Sequence, residues 1–432
     1  MADTQCTRRD FLAASSAVAS AAWAIGPGAF AAGSDAIRVG IVGCGGRGAG
    51  AAMNAMNADP GVRLVAMADL FEDKVRAKRA LLKEKKPDQV AVDDAHCFAG
   101  FDGYRRVTES VDAVLIACAP KFHAAYLRAA VEAGRHVFVE KPHAIDPPGL
   151  RDLVAACELA KQKRLSIVSG LYSRYDAGFQ ETIQRVRDGA IGDVVAIEET
   201  LLRGPYGIVR RTPGLSETQQ QFVNWSIFAW LSGDDVLEGL MHNLDRANWV
   251  LGDREPVKCH GLGGRSSSPD ESAGSVFDHH SLVYEYAGGV RLYAFCRTQT
   301  GCHNQYSSLI LGTRGRCHLM QYRIEGATKW RFRWPEGPRR SAYDVEHEVL
   351  FKAIRSGTPV NNGGYMVRST MAAVMGQASC YTGKQLTPAE VMKSDFSLGP
   401  KPDECSFDME PPVKPDANGI YPVPIPGVTK ML

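Results

Sequence analysis

The sequence predicts an α/β chain. A doubly wound parallel sheet fills the N-terminal part, and an α+β part built on a mainly antiparallel sheet follows. Three observations predict this. Residues 37–48, IRVGIVGCGGRG, run from a short apolar strand into a glycine-rich turn and then a helical stretch. From there to about residue 171, apolar runs alternate with helical segments and no hairpin signal intervenes, the pattern of βαβ units. Beyond residue 190 the strands are joined by tight turns, with Gly288-Gly289 and Thr313-Arg314-Gly315 at two of them, the pattern of hairpins.

Each element follows from local chemistry. Val39, Ile41 and Val42 make the first strand, and residues 47–58 a helix ended by Asp59-Pro60-Gly61. Residues 62–68 make the second strand, 71–86 a charged helix, and Cys97-Phe98 a short third strand. A short helix at 103–109 precedes the continuous apolar run 111–117, which reads as a strand buried on both faces. The next helix runs to about Ala133 and is capped by Gly134. Strand 136–139 delivers Glu140-Lys141-Pro142-His143 at its carboxyl end, and helix 147–161 and strand 166–171 lead out of this part. In the second part a helix ends near Asp188-Gly189, residues 194–203 form a long strand, and 224–251 show helical spacing with a break at Gly233. Strands are predicted at 281–286, 290–297, 306–312 and 315–321, and helices at 344–356 and 365–382. The Pro-rich tail from Glu410 reads as an extended arm. The predicted divisions are 1–33, 34–165, 166–409 and 410–432.

The glycine turn points to a dinucleotide. In Gly43-x-Gly45-x-x-Gly48 the first glycine permits the tight turn, the second lets backbone approach a pyrophosphate, and the third lets the helix pack close to the strand. Asp69 ends the second strand about 20 residues on, where an acid accepts ribose hydroxyls. A carboxylate there repels a 2′-phosphate, so NAD is expected rather than NADP. Arg47 lies inside the turn, and Lys74 and Arg76 fall too far into the next helix to argue from. The strand-end groups facing such a ligand include Ala119, Pro120, His123, Glu140 and Lys141.

Composition sets bounds. A net charge of +2 implies no strong pull on nucleic acid or anionic membrane. The eleven cysteines are scattered without CxxC pairs, as buried thiols are. Thr7-Arg8-Arg9-Asp10-Phe11-Leu12 is a twin-arginine pattern, and the uncharged, Ala- and Ser-rich residues 11–33 contain Ala29-Phe30-Ala31 near their end. Together they predict export of a folded protein to a periplasm or cell surface.

Two groups carry candidate chemistry. Lys141, at the end of a parallel strand beside the crevice, is placed to touch a substrate hydroxyl; the bland alternative is a surface lysine. In Glu238-Gly-Leu-Met-His242-Asn-Leu-Asp245 a continuous helix would put Glu238 and His242 on one face, with Asp245 about a turn further along. Histidine suits removal of a hydroxyl proton; the bland alternative is a satisfied core histidine. Two such ligands do not make a metal site.

These motifs, with Arg174, Gly189-Ala190-Ile191-Gly192 and Tyr381-Thr382-Gly383-Lys384, together resemble the Gfo/Idh/MocA oxidoreductase family over the chain after the signal. Glu238 stands where that family's motif has its first Asp, and Ser232-Gly233 replaces a glycine pair. The resemblance implies a Rossmann domain followed by a large open sheet that carries the substrate face and a homo-oligomer contact. It implies hydride transfer with NAD on a sugar, cyclitol or derivative. Lys141 and His242 would be the catalytic pair, with Glu238 binding or orienting the substrate and Asp245 structural. Cofactor contacts would fall at Gly43, Gly45, Gly46, Arg47, Gly48, Asp69, Ala119, Pro120, His123, Glu140 and Lys141. Substrate contacts would fall at Lys141, Tyr172, Arg174, Glu238 and His242. Separately, sugars favour aromatic faces and charged hydrogen-bond partners, so Tyr172, Arg174, Arg203, Asn224, Trp225 and Trp230 are candidate sugar contacts, with core packing or a surface role as the alternative for each.

The turn Gly45-Gly46-Arg47-Gly48 is similar to that of a redox-neutral, NAD-dependent glycosidase branch. Net oxidoreduction is the leading expectation. The alternatives are such a glycosidase, working by oxidation, elimination, hydration and reduction, and a non-catalytic NAD- or sugar-binding protein. Export favours a dinucleotide carried out already bound, since free NAD is scarce outside the cytoplasm.

Overall fold

The structure is a computed structural model and describes residues 35–267 and 273–431. The twin-arginine segment lies outside the described residues. Among those described, no helix is long and apolar enough to cross a membrane.

Six strands form the first sheet: β1 Ile37–Val42, β2 Val62–Asp69, β3 Cys97–Ala99, β4 Ala113–Ile116, β5 His136–Val139 and β6 Ile167–Ser169. All pairings are parallel, in the order β3-β2-β1-β4-β5-β6. Five helices connect them: α1 Gly46–Ala58, α2 Glu72–Lys85, α3 Gly103–Ser110, α4 His123–Glu132 and α5 Pro147–Gln162. The order reverses between β1 and β4, and a crevice opens at their carboxyl ends, as doubly wound sheets dictate. All four residues of β4 are buried, which explains the unbroken apolar run in the sequence. β6 pairs with β5, so this sheet extends past the predicted boundary at 165.

The second part carries helices α6 Ala177–Arg187, α7 Glu217–Val223, α8 Ala229–Ser232, α9 Asp235–Glu238, α10 Met241–Val250, α11 Ala342–Ser356, α12 Gly363–Thr382 and α13 Pro388–Lys393. Its eight strands are β7 Val194–Arg203, β8 Lys258–Gly264, β9 His279–Glu285, β10 Arg291–Thr298, β11 Gln305–Gly312, β12 Gly315–His318, β13 Arg323–Gly326 and β14 Trp330–Arg331. They lie in the order β14-β13-β12-β11-β7-β10-β9-β8. The β9–β10 and β11–β12 hairpins turn where the glycines predict. Between β10 and β11 the chain instead steps over β7, which pairs parallel to β10 and antiparallel to β11. Helices α10 and α12 cover one face of this sheet. The other face is open and carries the exposed Leu262 and Leu311.

The division at 166 is not a clean one. Leu350, Phe351 and Ile354 of α11 bury with Ile37, Val39 and Phe138 of the first sheet. The tail folds onto its own chain: Tyr421 donates to Glu217, and the Val413 carbonyl accepts from Gln221 at 2.7 Å. The predicted helical stretch 224–251 is a series of short helices. Gly233 takes a left-handed φ of +80° after α8, and Gly239 separates α9 from α10. A Cβ on Gly239 would meet Asp235 Oδ1 at 2.4 Å and Leu201 of β7 at 3.0 Å, so the break lets the helices seat on the sheet.

Gly48 is the tightest approach in the glycine turn, since an added Cβ would sit 1.7 Å from the Gly43 carbonyl oxygen. Gly48→Ala is expected to push α1 off β1, costing about 1–3 kcal/mol of stability and abolishing dinucleotide binding. Urea unfolding and nucleotide titration check this. A variant with wild-type stability and binding would refute it.

Candidate active site

The crevice holds about 850 Å³ of empty space counted to its open mouth. One wall is the glycine turn. Gly43 turns at φ +101°, and Gly45 and Gly46 face open space. Asp69 closes the floor, its carboxylate accepting from the Cys44 N–H at 2.7 Å and the Phe71 N–H at 3.1 Å. The opposite wall includes Phe222 and Trp225, from α7 and the turn after it. A helix N-terminus lined by backbone amides suits a diphosphate, and a fixed carboxylate suits ribose hydroxyls. These residues fit a dinucleotide.

Arg47 leaves the turn sideways. Its guanidinium pairs with Glu140 at the end of β5, lies 3.8 Å from Glu346 of α11, and stands over the Tyr343 ring at 4.8 Å. Glu346 is fully buried with neither carboxylate oxygen hydrogen-bonded. Burial, and then the Glu140 charge, hold its carboxyl well above the usual range.

Lys141 reaches from β5 to the second part. Its ammonium donates to the Glu238 carbonyl at 2.7 Å and to Glu238 Oε1 at 3.1 Å. Glu238 Oε2 is buried with no partner. Burial raises the Glu238 carboxyl, and Lys141 offsets part of the rise. His242 follows on α10, with its ring edge-on to Tyr172 at 4.9 Å between centroids. Its Nδ1 is also buried and unpartnered. Burial, then the charges of Lys141 and Arg246, pull its pKa well below the imidazole range, which favours the neutral ring. Tyr172 packs in turn on Tyr343 at 5.0 Å. A chain of contacts thus runs from the glycine turn through Arg47, Tyr343 and Tyr172 to His242.

Residues 37–168 match the family described as an oxidoreductase family with an NAD-binding Rossmann fold, Gfo/Idh/MocA. Over 365 residues the chain is 25% identical to inositol 2-dehydrogenase of Pseudomonas fluorescens, covering 81% of this chain and 94% of that one. It is 27% identical to inositol 2-dehydrogenase/D-chiro-inositol 3-dehydrogenase of Halalkalibacterium halodurans over 217 residues. That match covers 50% of this chain and about half, 53%, of the relative. The crystal structure of aldose-aldose oxidoreductase from Caulobacter crescentus shares the fold, with a TM-score of 0.63, 19% identity, and 82% and 99% of the two chains covered.

The structure brings Lys141, Glu238, His242 and Tyr172 together, and sets Gly43, Gly45, Gly46, Arg47, Asp69 and Ala119 around the crevice. It removes others from the ligand-facing set. Arg174 is buried between Asp245 and Asp253, at 2.8 and 2.6 Å, and so is a structural clamp rather than a sugar contact. His123 sits between the carbonyl oxygens of Pro142 and Cys118, at 2.8 and 2.9 Å, buried behind the crevice along with Pro120. It fixes the loop that carries Lys141. Arg203 pairs with Asp235, Asn224 donates to the Val209 carbonyl, and buried Trp230 donates to Gln221. Trp225 faces the dinucleotide crevice.

Sequence reasoning also missed residues. Lys74 lines the crevice, because the start of α2 turns back toward Asp69. Arg246, buried one turn after His242, is 3.8 Å from Glu199 and donates to Tyr306 Oη at 3.0 Å. Its spacing of four from His242 was the available signal. Burial pushes the Glu199 carboxyl up to about 7.

His242→Asn is expected to lower kcat about 100- to 10,000-fold with NAD binding intact. In the wild type, a base whose pKa is depressed stays unprotonated as pH falls. So kcat/KM for oxidation should hold through the ordinary imidazole value of about 6.5 and decline with a midpoint below it. A decline centred at or above that value would contradict the assignment.

Proposed function

We propose that this chain is an NAD-dependent oxidoreductase that moves hydride between nicotinamide and a carbinol carbon of a cyclitol or sugar. One observation carries the reading. Beside an ion-paired Lys141, two buried polar atoms, Glu238 Oε2 and His242 Nδ1, have no partner. Unpaired buried acceptors are costly, and adjacent substrate hydroxyls would satisfy them. The relatives named as inositol 2-dehydrogenases support a cyclitol as the first substrate class to try.

Bound NAD supplies the hydride acceptor and donor. Lys141 holds the substrate oxygen with its ammonium. His242 takes the hydroxyl proton during oxidation and returns it during reduction. Glu238 orients Lys141 and accepts a neighbouring hydroxyl. The resting hydrogen bonds of Lys141 both go to Glu238, so the ammonium keeps one N–H for substrate.

The test is NADH formation with a panel of inositols and pyranoses. NADH produced with wild-type protein and lost in Lys141→Met supports the reading. Release of an aglycone from glycosides without net NADH would replace it with the redox-neutral glycosidase. Nucleotide binding with neither activity would leave a binding protein.

NAD rather than NADP follows from Asp69, whose carboxylate opposes a 2′-phosphate. Arg47 is committed to Glu140 on the other side of β1, and Lys74 is the cation near Asp69. Asp69→Ser is expected to lower the NAD/NADP ratio of kcat/KM about tenfold or more. An unchanged ratio would show that Asp69 does not set the preference. Export by the twin-arginine route, and a homo-oligomer formed through the open sheet face, complete the proposal. Signal-dependent secretion and light scattering test them.

A further inference from the structure

We infer that residues 391–413 pack behind the walls of the dinucleotide crevice and strap those walls together, so that NAD(H) is a resident group that leaves slowly. This rests on the dinucleotide reading above and goes beyond it.

The crevice lies between two bodies of chain. On one side are the strand ends of the first sheet and the loops after them. On the other are Phe222 of α7 and Trp225. A ligand leaves when these sides part. The two sides touch directly, Phe222 lying 5.3 Å from Phe101 and 6.3 Å from Phe122, and a side chain from the C-terminal segment adds a further bridge. The Phe407 ring lies 5.5 Å from Phe71, 5.2 Å from Phe101 and 6.0 Å from Phe222, centroid to centroid. Phe71 follows β2 and itself lines the crevice. Phe101 follows β3, and Phe222 belongs to the opposite wall. Phe101 and Phe222 meet the Phe407 ring edge to face and Phe71 lies tilted against it, and rings packed at these separations hold each other in place.

The segment is tied down on both sides of that ring. On the first-sheet side, Lys121 has a side chain only 3% exposed and pairs with Asp146 at 3.1 Å. Its ammonium also donates to Ser397 Oγ at 3.1 Å and the Leu398 carbonyl at 2.8 Å. Arg151 of α5 donates to the Met392 carbonyl at 3.1 Å and to Asp395 at 2.8 Å. On the other side, Thr218 Oγ1 of α7 donates to the Met409 carbonyl at 2.7 Å, and Gln221 donates to the Val413 carbonyl at 2.7 Å. A buried ammonium with three acceptors is a costly anchor to break. Moving α7 away from the sheet therefore means releasing the strap, and cofactor exit is coupled to a local opening.

The experiment uses the full chain purified without added nucleotide. Denatured protein is assayed for NAD(H) per chain, and dissociation of NADH is followed by fluorescence during a chase with excess NAD. The expected result is near-stoichiometric nucleotide and slow release from the wild type. Phe407→Ala should raise the dissociation rate about tenfold or more, and Thr218→Val, which only unties one end, about threefold. Once nucleotide-free, Thr218→Val should melt close to wild type, whereas Phe407→Ala, which removes a ring packed among three others, should melt lower. If Phe407→Ala does not fold, Thr218→Val decides. Equal dissociation rates in wild type and variants would overturn the inference, as would a wild-type protein that exchanges NADH as fast as it is mixed. Failure to bind NADH at any concentration would instead defeat the dinucleotide reading itself.

Discussion

The arrangement of the site depends on Lys141 meeting Glu238. These residues are 97 positions apart: Lys141 follows β5 of the first sheet, and Glu238 ends α9 of the second part. The ammonium engages both the carboxylate and the backbone carbonyl of Glu238. That carbonyl is available because α9 ends there. In a continuous helix it would accept from the His242 N–H, four residues on. The break at Gly239 therefore does two things. It lets α9 and α10 press onto β7, and it frees an acceptor for a cation from the first sheet. A half-buried pair of this kind costs desolvation energy, which a second, well-placed acceptor offsets. The contact thus gives less in net stability than in registration of the two sheets.

A second charged contact sets the other side of the crevice. Arg47 belongs to the helix turn that faces a diphosphate, yet its guanidinium is committed to Glu140, next to Lys141 in the chain. Behind it stands Glu346 on α11, a helix that also supplies core to the first sheet. With the Glu346 carboxyl pushed toward its neutral form, Arg47 balances Glu140 and Lys141 balances Glu238. The cluster then approaches charge balance in a region where an unpaired charge is expensive. The Arg47 side chain consequently positions the strand end, and the backbone amides of the turn remain for the ligand.

What the sequence disclosed was local. The glycine turn, the apolar strands and the strand-end lysine depend on neighbours in the chain and on a short period, so they could be read directly. Lys141, Glu238 and His242 emerged as candidates from position and motif, and the structure gathers them. Long-range partners were not legible. Arg174 matches a motif but its role is set by Asp245 and Asp253, about 70 to 80 residues away. The hairpin signals were right at their turns, but nothing local says that β7 inserts between β10 and β11. Phe407 lies in a segment with no periodic pattern, and its meaning comes only from the three rings around it.

The protonation state of His242 shows how such distant contacts become chemistry. Its neighbour Arg246 is fully buried, and its Nε and Nη2 find no hydrogen-bond acceptor. For stability alone this is a poor use of a guanidinium, since apolar packing of the same volume does as well or better. Its effect is electrostatic. Together with Lys141 it disfavours a proton on His242, while Glu199, itself softened by burial, neutralises only part of the Arg246 charge. The imidazole is held neutral beside an ammonium that can hold a substrate oxygen. Oxidation of a carbinol asks for that combination, because the proton must leave as the hydride does and needs an acceptor already in its unprotonated form.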